Sequence, residues 1–387
     1  MGPLSGVRVI EIASLAPAPF GCMILADLGA DVLRIDRAER CGPQARASVD
    51  PLSRGRRSIG LNLKDQAAID LLLRLVEDAD VLVEGFRPGV AERLGFGPQA
   101  CAERNPRLVF ARMTGWGQDG PLAPTAGHDI DYIAISGALG MVGRAGESPV
   151  PPVNLLGDFG GGGMLMALGI LAALVERASS GRGQVVDAAM VDGSALLTSF
   201  VYGLRAMGGW QDARGVNLLD GGAPFYDTYR TADGEYMAVG ALEPQFYAAF
   251  TAILFAPEGL PADLPAQHDR ARWPELRARF AARFAERSQE EWTKAFSATD
   301  ACVAPVRTMT EAPSDPHLAA RGSYVTLDGV VQPAPAPRFG DGITGAPIGA
   351  LPPGPVSHPG AHTREVLTAA GFDDVEDLLG SGAVWQA

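Results

Sequence analysis

The sequence has few of the residues that build metal centres or disulfide frameworks. Its 387 residues include four cysteines, at positions 22, 41, 101 and 302, and no two of them form a C-x-x-C pair. Cysteines so widely separated are typical of reduced thiols and argue against a disulfide scaffold or a thiolate zinc site. The five histidines include no H-E-x-x-H motif. We therefore expect neither a metal centre nor a structural disulfide.

The motifs of several large enzyme classes are also missing. The chain contains no G-x-S-x-G elbow and no P-loop. A nicotinamide site requires G-x-G-x-x-G after the first strand, so that bare backbone can approach the pyrophosphate. The corresponding stretch, residues 13–21, has one glycine and two prolines. NAD binding is therefore disfavoured.

Basic residues are outnumbered by acidic ones. Lysine and arginine total 32 against 45 aspartates and glutamates, which gives a formal net charge of −13. A surface of this charge repels phosphate backbones, so we expect no nucleic-acid partner. A small phosphorylated ligand remains compatible, because it needs only a local group of arginines.

Long hydrophobic runs and targeting signals are scarce. The most apolar stretch, residues 164–175, is 12 residues long, whereas a membrane helix needs roughly 20. We interpret it as a helix buried in protein and expect no membrane partner. The chain begins without a basic signal-peptide region and does not end in Ser-Lys-Leu. The cytoplasm is the expected location.

Strand and helix patterns alternate over the first 115 residues. Short apolar runs at residues 7–12, 32–36, 81–83 and 108–111 predict strands. Helices are predicted from Phe20 to Leu28 and, after the capping residue Asp65, from Gln66 to Asp78. This alternation predicts an α/β fold with a doubly wound, Rossmann-like parallel sheet.

The pattern changes near residue 215, where turns and aromatic residues become frequent. Asp233-Gly234 lies between two alternating runs and predicts a hairpin. Helical patterns follow at residues 244–254 and 273–287, and a proline-rich stretch at 333–337 marks a connection. We interpret residues 220–325 as a smaller α+β domain.

Two polar residues stand in settings that suit catalysis. His128, in Gly127-His128-Asp129, is expected at a helix start, where the helix dipole disfavours a charged imidazole. Pattern alone favours a capping role for it. Asp158 precedes Gly160 to Gly163, whose bare backbone could approach a ligand oxygen, for example that of an enolate. A cap and a catalyst are equally compatible with this pattern.

Other polar groups carry weaker signals. Glu243 follows a predicted strand and precedes Pro244, a position typical of capping or surface charge. Arginines, which suit phosphate groups, occur near the end of the second strand, in a tight set and after the Glu-Gly-Phe of residues 84–86: Arg34, Arg37, Arg54, Arg56, Arg57 and Arg87. A solvated loop is the alternative for any single one.

Nine segments in order resemble the alpha-methylacyl-CoA racemase and class III CoA-transferase superfamily. They are PLSGVRVIE (3–11), DLGADV (27–32), NLK (62–64), DVLVEGFRPG (80–89), GWGQ (115–118), GDFGGG (157–162), GQVVD (183–187), APR (336–338) and HTREVL (362–367). The resemblance covers nearly the whole chain. It implies an acyl-CoA thioester substrate, with coenzyme A as part of the substrate and no separate cofactor.

The resemblance also assigns roles to residues. Transferases of the superfamily usually have an aromatic residue where this chain has His128, and they use the aspartate at position 158 as nucleophile. The combination of His128 and Asp158 therefore implies the racemase branch, in which the two act as bases on opposite faces of the α-carbon. Glu243 is implied to orient His128, and Asn154 to hydrogen-bond in the same site. Arg37, Arg54, Arg57 and Arg87 are the implied candidates for the CoA phosphates.

The resemblance further implies a large domain built from residues 1–200 and 330–387, and an interlocked homodimer with shared active sites. Two alternative functions stay open. One is a class III CoA transferase with Asp158 as nucleophile, and the other is a non-catalytic acyl-CoA-binding homologue. The preferred acyl chain is not specified by these residues.

Overall fold

The fold is that of a computed structural model, which describes residues 2–37, 40–41, 50–340, 347–348 and 353–387. The strands are β1 (Arg8–Ile12), β2 (Asp31–Arg37), β3 (Arg56–Leu61), β4 (Val81–Glu84), β5 (Val109–Thr114), β6 (Val185–Ala189), β7 (Tyr226–Arg230), β8 (Tyr236–Gly240), β9 (Val303–Pro305), β10 (Tyr324–Leu327), β11 (Val330–Pro333), β12 (Phe339–Gly340), β13 (Pro347–Ile348) and β14 (Val384–Trp385). The α-helices are α1 (Pro17–Asp27), α2 (Gln66–Glu77), α3 (Val90–Leu94), α4 (Pro98–Arg104), α5 (Asp129–Ile135), α6 (Leu165–Ser180), α7 (Met190–Leu197), α8 (Ser199–Ala206), α9 (Pro244–Leu254), α10 (Trp273–Phe284), α11 (Gln289–Phe296), α12 (Pro316–Arg321), α13 (Thr363–Ala369) and α14 (Val375–Ser381).

The chain divides into two compact units. Unit 1 comprises Met1–Ser136, Pro152–Leu197 and Pro316–Ala387, and unit 2 comprises Gly137–Pro151 and Thr198–Asp315. Residues 137–151, which fall inside the predicted large-domain segment 1–200, thus belong to unit 2. Unit 1 draws on both ends of the chain.

Unit 1 contains a seven-stranded sheet in the order β14-β3-β2-β1-β4-β5-β6. Its strands β1 to β6 pair in parallel, and β14 pairs antiparallel with β3. The order of β1 to β6 is that of a doubly wound fold. The predicted α/β fold class is therefore confirmed.

Hydrophobic cores cover both faces of this sheet, because alternate residues of β1, β2, β4 and β5 enter different cores. Ile10 and Ile12 of β1 pack into one core with residues of α2, α4 and α13. Val9 packs into the other with residues of α1 and α6. This explains why the strands read as continuous apolar runs.

Helix α1 begins three residues before its predicted start. Pro17 and Pro19 lie in its first turn, where the backbone N–H groups have no intrahelical acceptor and proline is tolerated. The two prolines that precede the predicted helix in the sequence are thus part of it. The predicted cap of α2 is confirmed, since Asp65 Oδ1 accepts from the N–H of Ala67 at 2.9 Å.

The four glycines after Asp158 lie inside a helix, ahead of the helix that the sequence predicted over residues 164–175. A π-helix covers Leu155–Met164 and continues directly into α6. The glycines allow close packing: a Cβ at Gly163 would lie 2.3 Å from the carbonyl oxygen of Pro17, and one at Gly161 would lie 2.6 Å from the nitrogen of Ser194.

The π-helix and α6 together form one continuous helix. This helix is longer than the 12-residue apolar stretch that the sequence analysis compared with a membrane helix. Leu155–Ser180 spans 26 residues and is long and apolar enough to cross a membrane by length and composition. The core helix of a soluble protein passes the same test. Met166, Ala167, Ile170 and Ala173 of α6 are buried in unit 1.

Unit 2 is built around the antiparallel sheet β7-β8-β9. The predicted hairpin is confirmed: β7 and β8 pair across the turn that contains Gly234, whose φ is +90°. Helices α9, α10 and α11 cover the sheet with a core rich in aromatic side chains, including Tyr229, Phe250, Phe284 and Trp292.

Candidate active site

A cavity of about 710 Å³ opens in unit 1 beside the carboxyl ends of β1, β4 and β5. The turns after these three strands contribute Ser14, Arg87 and Trp116 to its wall. From β1 the strand order runs outward in both directions, to β2 and to β4. Open α/β sheets bind their ligands at such a switch point.

Two non-glycine residues in the cavity wall have left-handed backbone conformations. Ala16, just before α1, has φ of +32°, and Val153, just before Asn154, has φ of +58°. Each such residue costs about 1–3 kcal/mol, and such strain concentrates at ligand sites. The chain therefore enters the two helices beside the cavity through strained positions.

His128 lies at the start of α5, as the sequence predicted. Its backbone N–H donates to Asp131 Oδ2 at 2.9 Å, which fixes the entry into the helix. The residue is exposed and lines the cavity. An imidazole held at a rigid helix start and open to the cavity can exchange a proton with a ligand.

Asp158 lies in the first part of the π-helix and lines the same cavity. Its Oδ2 accepts from Asn154 Nδ2 at 2.9 Å, and its backbone N–H donates to Asp129 Oδ2 at 2.7 Å. Burial raises the pKa of Asp158 above its ordinary value, and the charge of Asp129 raises it further. The hydrogen bond from Asn154 and the charge of His128 lower it.

The cavity floor is aromatic. Tyr132 of α5 packs edge-to-face against Trp116, with ring centroids 4.7 Å apart. The packing depends on glycine, because a Cβ at Gly115 would lie 2.2 Å from the Tyr132 hydroxyl oxygen. Burial and the negative charge of Asp158 raise the pKa of Tyr132 to about 12. The phenol is therefore neutral near pH 7.

Two of the four predicted phosphate ligands reach this cavity. Arg37 ends β2 and Arg87 follows β4, and both are exposed side chains in the cavity wall. Neither guanidinium has a hydrogen-bond or ion-pair partner among the described residues. A smaller cavity of about 140 Å³ is lined by Arg34, Arg37, Arg40 and Ser14. Exposed guanidinium groups at this edge can bind phosphate.

The sequence profile of CoA-transferase family III matches residues 4–363. The chain belongs to this family. It is 48% identical to the alpha-methylacyl-CoA racemase of Mus musculus over 381 residues, which cover 97% of this chain and 95% of the mouse protein. It is 47% identical to the alpha-methylacyl-CoA racemase of Homo sapiens over 375 residues, 96% of this chain and 94% of the human protein.

Solved structures of the family share the fold. A CAIB/BAIF family protein from Brucella suis superposes with a TM-score of 0.81 at 24% identity, covering 95% of this chain and 99% of its own. A Mycobacterium tuberculosis protein gives a TM-score of 0.74 at 26% identity, covering 94% and 98%.

The other two predicted phosphate ligands of this family III chain lie away from the cavity. Arg54 is buried and donates to both carboxylate oxygens of Asp27, to Gln332 and to the carbonyl oxygen of Pro333. Arg57 lies near the amino-terminal edge of the sheet and pairs with Asp31 at 2.8 Å. These contacts favour structural roles over the predicted phosphate contacts.

Glu243 belongs to unit 2. It occupies the N-cap position of α9, and Pro244 begins the helix, as the sequence pattern suggested. Its side chain makes no capping hydrogen bond. The implied role of Glu243 beside His128 stays a prediction.

Asp129 is a site residue that the sequence reasoning missed. It was noted as part of the Gly-His-Asp motif, but its contact with the backbone of Asp158 joins segments 29 residues apart. The one sequence feature that belongs to this contact is the glycine before Asp158. A Cβ at Gly157 would lie 2.5 Å from Asp129 Oδ2, so the contact requires a glycine there. Across the described ranges, no cluster of three or more His, Cys, Asp or Glu residues is arranged to hold a metal ion.

Proposed function

We propose that this chain is an alpha-methylacyl-CoA racemase that inverts the α-carbon of 2-methylacyl-CoA thioesters. The observation that carries the proposal is that His128 and Asp158 line one cavity at the carboxyl edge of the sheet. Inversion by proton transfer requires one group to remove a proton and another to deliver one from the opposite face. A histidine and an aspartic acid in one cavity meet this requirement.

The proposed reaction conserves protons. His128 takes the α-proton of one epimer, the C–H electron pair forms the enolate, and protonated Asp158 delivers a proton to the other face of the same carbon. In the reverse direction the two residues exchange roles. Within the first turn of the π-helix the N–H groups of Leu155 and Asp158 already donate to Pro152 and Asp129. The other first-turn N–H groups, which have no intrahelical acceptor, are the proposed donors to the enolate oxygen. Asn154 would orient the Asp158 carboxyl, and Glu243 would support the charged form of His128.

The CoA part of the substrate is proposed to bind at the carboxyl edge of β1, β2 and β4. Arg37 and Arg87 are exposed there, and Arg40 lines the adjacent small cavity. Guanidinium groups bind phosphate oxygens through directed, charge-assisted hydrogen bonds. Substrate binding therefore needs no further cofactor in this proposal.

The test is proton NMR of one pure epimer of a 2-methylacyl-CoA, incubated with the protein in deuterated buffer without any acceptor acid. A racemase exchanges the α-proton for deuterium and produces the opposite epimer. Asp158→Asn and His128→Gln should each lower this rate by about 10²- to 10⁴-fold, because each removes a general acid–base group. Asp192→Asn, which removes an exposed carboxylate on α7, is the control and should retain the rate.

The same experiment separates the alternatives. A CoA transferase would leave the epimer unchanged until a free carboxylic acid is added, and it would then depend on Asp158 far more than on His128. A non-catalytic homologue would bind the thioester and leave it unchanged with or without the acid. Either result would refute the racemase proposal.

We also propose that the chain forms a homodimer. Unit 1 exposes apolar side chains at the end of the π-helix, along α6 and at the end of α7, with exposed fractions of 53–74%: Met164, Leu168, Val175, Leu196 and Leu197. Exposed apolar surface of this kind marks an interface. Light scattering should give twice the 40.4 kDa chain mass, and Leu168→Lys should shift it toward the monomer. A monomer at micromolar concentration, or association only with lipid, would contradict the proposal.

A further inference from the structure

Asp129 is a buried carboxylate in contact with the Asp158 segment. It is the first residue of α5, and only 7% of its surface is exposed. Its Oδ2 accepts the backbone N–H of Asp158 at 2.7 Å. This hydrogen bond joins the helix start that carries His128 to the helix that carries Asp158.

The approach of the two segments depends on the absence of a side chain at position 157. A Cβ at Gly157 would lie 2.5 Å from Oδ2 and 2.9 Å from Cγ of Asp129. Contacts under about 3 Å cannot be accommodated without displacing one partner. The carboxylate of Asp129 is therefore held against the Asp158 backbone by glycine packing as well as by the hydrogen bond.

The second oxygen of this carboxylate lacks a hydrogen bond among the described residues. Asp129 Oδ1 is buried and has no hydrogen-bond partner among the described residues. An unsatisfied buried polar atom costs about 1–3 kcal/mol. A catalytic role is one explanation for such a group in a native structure. Among the described residues, no hydrogen-bond donor therefore stabilises the carboxylate of Asp129 at Oδ1.

We propose that Asp129 is a positioning residue for the racemase reaction, whose carboxylate holds the Asp158 segment by its Oδ2 and thereby sets the surroundings in which the Asp158 carboxyl exchanges a proton. This inference rests on the proposed function. The α-proton of a thioester is weakly acidic, so a stronger base removes it faster.

The electrostatic effect on Asp158 has the sign that the proposal requires. Burial is the main cause of the raised pKa of Asp158, and the negative charge of Asp129 acts in the same direction. The hydrogen bond from Asn154 and the charge of His128 act in the opposite direction. Removal of the Asp129 charge should therefore lower the pKa of Asp158 and weaken it as a base.

The other ionisable groups near the π-helix have partners of their own. On β5, Arg112 pairs with Glu84 and Glu92. On α1, Asp27 pairs with Arg54, and on α6, Arg177 pairs with Asp80. On α6, Glu176 accepts hydrogen bonds from Ser180 and Gln184. The remaining charged groups on the packed elements and around Tyr132 are Asp187 on β6, Asp192 on α7, Asp131 on α5 and Arg87 after β4. None of these groups contributes to the raised pKa of Asp158.

The experiment compares the wild type with Asp129→Asn, in which the amide oxygen can still accept the Asp158 N–H but the charge is gone. The pH dependence of kcat/KM is measured for both epimers. In Asp129→Asn we expect the acidic limb of the kcat/KM profile, where activity is lost as the pH falls, to move to lower pH. The plateau value of kcat/KM should fall by roughly three- to tenfold. The fall should be equal for the two epimers, because the ratio of their kcat/KM values is fixed by the reaction equilibrium. Asp192→Asn is the matched control and should leave the limb in place.

A second measurement does not depend on turnover. The Asp158 carboxyl carbon, assigned by comparison with Asp158→Asn, is titrated by NMR in protein labelled with ¹³C in its aspartates. Its midpoint should be lower in Asp129→Asn than in the wild type. If the wild type shows this titration but no α-proton exchange, then the racemase proposal fails and the link between the two carboxyls stands.

Gly157→Ala gives an independent variant in case Asp129→Asn does not fold. It retains both carboxyls but displaces the Asp129 side chain, so the titration midpoint of Asp158 should again fall. An unchanged acidic limb together with an unchanged Asp158 midpoint in a folded Asp129→Asn protein would overturn the inference. A lower rate without any change in the limb would assign Asp129 a purely structural role.

Discussion

The two edges of the unit 1 sheet use arginine in different ways. Near the amino-terminal edge, Arg8 lies 3.9 Å from Asp78, and Arg57 lies 2.8 Å from Asp31. At the carboxyl edge, Arg37 and Arg87 line the cavity without an ion-pair partner in the described part of the chain. An unpaired, exposed guanidinium can still donate its hydrogen bonds to a ligand. The two edges therefore differ in whether their arginines are available to bind a ligand.

A third group of arginines lies inside unit 1. Arg54 and Arg56 are almost fully buried, and each pairs with a buried carboxylate, Asp27 and Glu11 respectively. Breaking such a pair leaves an uncompensated charge in a region of low dielectric constant, which is strongly destabilising. Arginines close together in the sequence therefore differ in function according to the carboxylates near them.

The largest expected effect on folding stability belongs to Arg54. Arg54→Met should lower the free energy of unfolding by about 3–5 kcal/mol, because the side chain of Asp27 is only 4% exposed and loses its partner. Denaturant titration would measure this change. Asp27→Leu combined with Arg54→Met should recover much of the loss, since no charge is then left unpaired. A loss below about 1 kcal/mol in the single variant would remove the distinction between buried and exposed arginines.

The architecture and the positions of several candidate residues could be predicted from local sequence pattern. Apolar runs predicted four of the six parallel strands, β1, β2, β4 and β5, but not β3 or β6. Asp65 marked the start of α2, and both kinds of signal depend on neighbouring residues. His128 and Glu243 were expected at helix starts and lie at them. The unit that contains each residue, by contrast, depends on how distant segments pack.

The arginine assignments show where local pattern fails. Arg54, Arg56 and Arg57 form one tight set in the sequence, and two of them, Arg54 and Arg57, were predicted to bind the CoA phosphates. Arg54 is paired with Asp27, 27 residues earlier, and with Gln332, 278 residues later. Alternation along β3 then sends Arg56 and Arg57 to opposite faces of the sheet. No local signal distinguishes these partners.

The glycines after Asp158 show a second limit. Four consecutive glycines are poor helix formers, and the sequence predicted a helix only after them, over residues 164–175. The helix forms because its glycines allow contacts with Pro17 and Ser194 that no side chain would permit. Tertiary packing thus overrides the intrinsic preference.

A smaller effect is expected at the carboxyl edge. Arg87→Gln and Arg37→Gln should each raise KM for the CoA thioester by about tenfold, since a hydrogen bond to a charged group contributes roughly 1.5–3 kcal/mol. The value of kcat and the unfolding midpoint should change little, because neither guanidinium has a partner among the described residues. Steady-state kinetics at low and high salt would measure the effect, which should shrink as salt screens exposed charges. A fall in kcat with unchanged KM would contradict a phosphate-binding role.

The smallest effect is expected at Arg57, the matched control for the two cavity arginines. In the β2–β3 register Arg57 is opposite Leu33 and Arg37 is opposite Leu61, so the two arginines are separated by about 13 Å along the strands. Arg57→Gln should change the free energy of unfolding by less than about 1 kcal/mol, because its pair with Asp31 is partly exposed. It should leave KM within about twofold of the wild-type value. A tenfold rise in KM would show that substrate phosphate reaches the amino-terminal edge, and pairing with a carboxylate would then no longer distinguish structural from ligand-binding arginines.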